Sequence, residues 1–234
     1  MDAALFDLDG VLTPTADAHR RAWARMFDVF LAGRGDARPF SDDDYFEHVD
    51  GKPRYDAVRG FLASRGIVLP EGQVSDPPQL ETVHGLGNRK NDAFLETLHR
   101  DGIEAYPGSL QLLDWLEQRG IRSAVVSSSR NAGPVLAAAG LDDRFPVVVD
   151  GLVAATEHLP GKPAPDTYRV AADRLGVPYA RAVVVEDALS GVVAGRAGGF
   201  AAVVGVDRGA GTSELLAAGA DLVVADLAEL VPSL

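Results

Sequence analysis

The chain has 234 residues, 47% apolar and 24% charged, the balance of an ordinary globular protein long enough to bury a sizeable core. Acidic residues outnumber basic ones 34 to 22, a net charge of −12, which excludes the positive field that non-specific nucleic-acid or anionic-membrane binding needs. There is no cysteine, so disulfides, thiolate metal sites and thiol catalysis are excluded as well.

No apolar run approaches the about 18 residues of a membrane helix. The N-terminus enters a strand-like segment directly, without the basic, apolar, small-residue order of a signal peptide. The expected location is the cytoplasm.

Ala3-Ala4-Leu5-Phe6 is a short apolar run that stops at Asp7, the pattern of a buried parallel strand. Similar runs follow at Ile121 to Val126, Val147 to Val149, Ala182 to Val185, Phe200 to Val206 and Leu222 to Val224. Between them lie helical patterns. Leu110 to Leu116 closes at Arg119-Gly120, Val135 to Ala139 at Gly140, and Tyr168 to Leu175 at Gly176. Strands alternating with helices predict an α/β fold, a Rossmann-like parallel sheet with right-handed crossovers. The stretch from about Asp17 to Arg100 breaks the rhythm. It shows helical segments such as His19 to Leu31 but no strand run of comparable quality, and it reads as a helical insert after the first strand. Gly33-Arg34-Gly35 and Asp76-Pro77-Pro78 read as loops within it.

In an open α/β sheet, sites form at the carboxyl ends of strands. Four such ends or the loops beside them are polar here. Asp7-Leu8-Asp9-Gly10 places two carboxylates two residues apart, able to converge on one cation or to divide nucleophile and acid/base roles; an aspartate-rich turn is the plain alternative. Glu186-Asp187 ends another strand and adds the hard oxygen ligands that Mg²⁺ takes, where Asp187 alone would read as a helix N-cap. Ser127-Ser128-Ser129-Arg130-Asn131 offers hydroxyls and N–H groups at a helix start, a phosphate cradle or a capping loop. Lys162 sits in the proline-bracketed turn Gly161-Lys162-Pro163-Ala164-Pro165, where it could neutralise phosphate charge or be solvated.

The order of these motifs is more specific than any one of them. It resembles the haloacid dehalogenase-like superfamily of phosphotransferases, over the whole chain, and within it the β-phosphoglucomutase family. The residues carrying the resemblance are Phe6 to Thr13 with Thr15 and His19, Arg89-Lys90-Asn91-Asp92, Tyr106-Pro107-Gly108, Ser127 to Asn131, Lys162 to Asp166, and Glu186-Asp187 with Gly191. The resemblance implies a core domain of residues 1–15 and 102–234 and a helical cap of residues 16–101. It implies Asp7 as the nucleophile that becomes an aspartyl-phosphate and Asp9 as general acid/base. Mg²⁺ would be held by Asp7, the Asp9 carbonyl, Glu186 and Asp187. Ser127 and Lys162 would hold the transferring phosphoryl group. Arg54, in Gly51-Lys52-Pro53-Arg54, and the Ser129-Arg130-Asn131 run would hold the distal phosphate, with Gly51 and Ser128 also among the substrate-binding residues. His19 and Lys90 would position the cap and Asp9, and Thr15 would lie in a hinge.

The implied reaction interconverts β-D-glucose 1-phosphate and D-glucose 6-phosphate through glucose 1,6-bisphosphate. No surplus apolar stripe is evident in the sequence, so a monomer is expected, and the acidic charge leaves no nucleic-acid or membrane partner expected. The alternative is a phosphohydrolase of small sugar or polyol phosphates, which shares every core residue and differs in water access. Dehalogenation has no use for Asp9 as acid/base, and a bare binding module has no use for the full set. The chain departs from the family at Pro14, where an aspartate usually precedes the threonine.

Elsewhere the plain readings prevail. His48, His84, His99 and His158 lack ligand spacing and read as surface or loop residues. Trp23 and Trp115 read as core, and Asp42-Asp43-Asp44 as a solvated helix start. Gly85-x-Gly87 lacks the third glycine of a dinucleotide loop.

Overall fold

Apolar strands covered on both faces form the centre of one of the two units of the chain. The computed structural model describes residues 1–35 and 38–232. Asp36 and Ala37, inside the expected cap, and Ser233 and Leu234, at the end of the expected core, lie outside the described residues. The chain divides into two compact units, Met1–Thr15 with Ile103–Leu234, and Ala16–Gly102.

The first unit is a six-stranded parallel sheet. In chain order its elements are β1 (Ala3–Phe6), then, after the insert, a helix at Pro107–Glu117, β2 (Arg122–Val126), a helix at Ala132–Ala138, β3 (Val147–Val149), helices at Gly151–Thr156 and Asp166–Leu175, β4 (Ala182–Glu186), a helix at Leu189–Gly198, β5 (Ala202–Val206), a helix at Thr212–Ala218 and β6 (Leu222–Val224). The strand order is β3-β2-β1-β4-β5-β6. Sequence order reverses at β1, so the crevice beside its carboxyl end is the topological switch point of the sheet. Phe6 stands opposite Val125 of β2 and Val185 of β4. That register brings Asp7, one residue on, level with Glu186. The strands are continuous apolar runs because helices cover both faces. On one face Leu5, Val126, Val184 and Val203 pack with Tyr168, Ala171 and Leu175. The 3.6-residue spacing of those three helical residues turns one stripe to the sheet.

The second unit is helical. Its elements are α1 (Thr15–Gly33), α2 (Asp42–His48), α3 (Arg54–Ser64) and α4 (Val83–Asp101). Trp23, Phe27, Phe30, Phe40, Phe61 and Leu86 form its core, with the Phe27 and Phe61 rings 4.0 Å apart. Ser41 caps α2 reciprocally with Asp44, and Thr82 caps α4 by accepting from the Gly85 N–H.

Strand and helix positions agree with the sequence reading to within a few residues, the widest difference being at α1, which starts at Thr15 rather than His19. Some single residues differ. His84 is nearly buried, edge-on to Tyr55 with ring centres 4.2 Å apart, because its place in the first turn of α4 faces α3. His48 also lies on a helix and is only part-exposed. Trp115 is half-buried rather than core, with the Arg119 guanidinium stacked 4.1 Å over its ring. In the acidic run, Asp44 turns inward to Arg65 at 2.6 Å instead of facing solvent.

Candidate active site

The acidic centre is built where β1 and β4 end side by side. The Asp7 N–H still donates to Val185 O at 2.9 Å, so the strand ladder itself positions the carboxylate. Lys162 reaches the same point from its turn. Its Nζ donates to Asp7 Oδ1 at 2.5 Å, Glu186 Oε1 at 2.5 Å and Val126 O at 3.0 Å, using all three ammonium hydrogens. Lys162 is 4% exposed, so the solvated alternative is excluded.

Glu186 is held more tightly still. Its Oε1 also accepts from the Tyr168 hydroxyl at 2.8 Å, and its Oε2 from the Asp187 and Ala188 N–H groups at 3.1 Å each. The helix after β4 starts with Ala188 at its N-cap, so Asp187 does not cap it and its carboxylate stays at the centre. Two glycines make room. A Cβ on Gly191 would fall 1.7 Å from Glu186 Oε1, and a Cβ on Gly10 would fall 1.9 Å from Asp187 Oδ2. Gly10 also has φ +88°, which disfavours other residues.

Carboxylate oxygens of Asp7, Glu186 and Asp187 lie within 4.8 Å of one another, and all three residues are buried. Hard oxygens gathered in a cradle that a single methyl would fill fit a small divalent cation. The electrostatics agree. Burial pushes the Asp7 carboxyl well above its usual range, aided by the Glu186 and Asp9 charges and opposed by Lys162. Burial pushes Lys162 down, but the Asp7 and Glu186 charges outweigh it and hold the ammonium above its usual value. Burial and the Glu186 charge raise Tyr168, so the phenol remains a donor.

Asp9 is half-buried one turn of chain away. Its Oδ1 accepts from the Thr15 hydroxyl, and its Oδ2 from the Ser127 hydroxyl at 3.4 Å. Thr15 Oγ1 lies 2.8 Å from Thr13 Oγ1, a buried hydroxyl chain ending on Asp9. Pro14 stands exposed between these two buried threonines. The Ser127 loop is folded by its own side chains: Ser127 Oγ accepts from the Ser129 N–H at 3.0 Å, and Ser129 Oγ from the Asn131 N–H at 3.1 Å. Ser128, Ser129 and Arg130 are half-buried beside them, and Asn131 is buried.

The structure thus brings Asp7, Asp9, Thr15, Ser127, Lys162, Glu186 and Asp187 together within the sheet unit. Gly51, Arg54, His19 and Lys90 belong to the helical unit. There the buried Lys90 ammonium meets His19 Nδ1 and lies 5.0 Å from the Trp23 ring centre. Arg54 donates to Asn91 Oδ1 at 2.6 Å, and Gly51 turns the chain after α2 with φ +68°.

Three contributors escaped the residue-by-residue reading. Tyr168 read only as an apolar helix position, although a buried phenol needs a partner for its hydroxyl. Thr13 and Asn91 stood in the matched motifs without a role.

A family model for haloacid dehalogenase-like hydrolases matches residues 1–199. The β-phosphoglucomutase of Mycobacterium bovis is 51% identical over 98% of this chain and 91% of its own length. That of Bacillus subtilis is 34% identical over 98% and 92%. Among solved structures, CbbY from Rhodobacter sphaeroides in complex with xylulose-(1,5)bisphosphate is 28% identical, with a TM-score of 0.77 over 99% of this chain and 96% of that one. The β-phosphoglucomutase from Clostridium difficile is 25% identical, with a TM-score of 0.77 over 98% and 93%. A sheet with its acidic centre at the β1 and β4 ends, a helical insert after β1 and these relatives all agree: the chain belongs to the haloacid dehalogenase-like hydrolases.

Proposed function

We propose that the chain is a β-phosphoglucomutase, interconverting β-D-glucose 1-phosphate and D-glucose 6-phosphate through β-glucose 1,6-bisphosphate, and that it works as a cytoplasmic monomer. The observation that carries this reading is the 51% identity to the Mycobacterium bovis enzyme over 98% of the chain.

Asp7 is the nucleophile. Its carboxylate takes a phosphoryl group as the bond from phosphorus to the donor oxygen breaks, and it passes the group on when a sugar hydroxyl attacks. Asp9 supplies the proton to the departing oxygen and removes it from the incoming hydroxyl. The Thr15 and Ser127 hydroxyls aim the Asp9 carboxyl. Lys162 and Ser127 are assigned to the phosphoryl oxygens, which they reach by exchanging their bonds to Asp7 and Asp9. Asp7, the Asp9 carbonyl, Glu186 and Asp187 are assigned to Mg²⁺, which supplies positive charge to the transferring phosphoryl group when bound. A bisphosphate needs a second set of cations and donors. Arg54 and Lys90, with His19 and Gly51 from the helical unit and Ser128, Ser129, Arg130 and Asn131 from the sheet unit, are assigned to binding the sugar phosphate.

Phosphorus NMR of the protein with β-glucose 1-phosphate, Mg²⁺ and a trace of the 1,6-bisphosphate tests the reading. Glucose 6-phosphate should grow in without inorganic phosphate. Inorganic phosphate at every turnover would make the chain a phosphohydrolase of sugar phosphates. In the mutase, Arg54→Ala should depress sugar-phosphate turnover far more than aryl-phosphate hydrolysis. Equal losses would remove the second anion site.

A further inference from the structure

Arg208 lies just beyond the end of β5 and joins three separate segments of the sheet unit. Its Nε donates to Gly10 O at 3.0 Å, and its Nη1 to Ala225 O at 3.0 Å. Its guanidinium carbon stands 4.0 Å over the Tyr106 ring, and Nη2 lies 4.0 Å from Asp226 Oδ2. Tyr106 in turn donates its N–H to Leu12 O at 3.0 Å, so stacking and hydrogen bonding act on the same loop from two sides.

The Gly10 peptide is where this clamp matters. On one side the Gly10 N–H donates to Thr13 O at 2.8 Å. On the other its Cα faces the Asp187 carboxylate so closely that a Cβ would sit 1.9 Å from Oδ2. A small rotation of this peptide would either push Asp187 aside or open a gap beneath it. Arg208 is the side chain that fixes the rotation, because it holds the Gly10 carbonyl with one edge of a planar fork and is itself anchored by the other edge. Groups that orient metal-binding residues without touching the metal are typically worth about 10–100-fold in affinity.

We propose that Arg208 is a positioning residue that sets the Gly10 peptide against Asp187 and thereby the affinity of the acidic centre for a divalent cation. The proposal rests on the reading of Asp7, Glu186 and Asp187 as a metal site, and does not depend on which sugar phosphate is turned over.

The test is direct binding of Mn²⁺, followed by electron paramagnetic resonance of the free ion, for the wild type, Arg208→Gln and Arg208→Lys, with a thermal melt of each in EDTA. The wild type should bind one ion, and Arg208→Gln should bind it at least about tenfold more weakly. Arg208→Lys should fall between them, since an ammonium can serve the Gly10 carbonyl but cannot fork to Ala225 or stack as a plane on Tyr106. A melting temperature lowered in EDTA with an unchanged Mn²⁺ affinity would make Arg208 purely structural and overturn the proposal. If Arg208→Gln does not melt cooperatively, Arg208→Lys decides, and a wild-type affinity there overturns it. A wild type that binds no Mn²⁺ would instead remove the metal reading on which it rests.

Discussion

Gly10 and the Asp187 carboxylate occupy adjoining space with no room for a methyl group between them. The contact joins the first motif of the chain to the fourth, and it makes Gly10 a requirement of the candidate metal site as well as of the turn. Gly10→Ala must either hold the left-handed region, at about 1–2 kcal/mol, and displace Asp187, or abandon the turn. The expected outcome is a Mn²⁺ affinity lowered by about 10–100-fold in a protein that still melts cooperatively. Titration calorimetry checks it, and wild-type affinity would contradict the geometry.

Lys162 pairs with both Asp7 and Glu186. Lys162→Met leaves those buried carboxylates without it, which should cost about 3–5 kcal/mol in EDTA. Because the lysine's pKa is raised on folding, its contribution is fully present below its ordinary value of 10.5 and fades only as pH rises through the folded one. Urea unfolding at pH 7 should therefore show the whole deficit, and added Mg²⁺ should shrink it. A deficit indifferent to Mg²⁺ would mean that the ion does not take over the charge that Lys162 supplies.

Asp9→Asn keeps the shape and the acceptor for Thr15 while removing the proton. Sugar-phosphate turnover should fall by about 10²–10⁴-fold. Phosphorylation of Asp7 by acetyl phosphate, whose leaving group needs no proton, should fall much less. Rapid-quench kinetics with both donors separate the two, and equal losses would deny Asp9 the acid/base role.

Asp44 gives the helical unit a pH dependence. Burial pushes its carboxyl up, but hydrogen bonds from Arg65 and Ser41 prevail and hold it below the usual 3.8. A depressed folded pKa stabilises above the unfolded value and the gain disappears as pH falls through the folded one. Asp44→Asn should cost about 1 kcal/mol near neutrality and show a flatter loss of stability below about pH 5. Parallel stability curves for the two proteins would refute this.

Much of the site was legible because parallel strands are buried on both faces, so a carboxylate interrupts an apolar run only at an end. Asp7, Glu186 and Asp187 stood out for that reason, and Lys162 by its rigid turn. What the chain could not display is which distant groups meet. The Tyr168 hydroxyl reaches Glu186, and the Arg208 guanidinium reaches Gly10, through the fold alone. His84 misled for a related reason: spacing excluded a metal motif, but only the packing of α3 against α4 could bury it.

The place of β1 between β2 and β4 also bears on how the protein is made. Residues 16–102 close their core through neighbours in the chain, and such contacts can form early in synthesis. The proposed nucleophile waits. Asp7 leaves the ribosome well ahead of Lys162 and Glu186, which lie far downstream in the chain. A nascent chain therefore carries no assembled phosphoryl-transfer centre, and competence arrives as a late, all-at-once event when β4 takes its place beside β1.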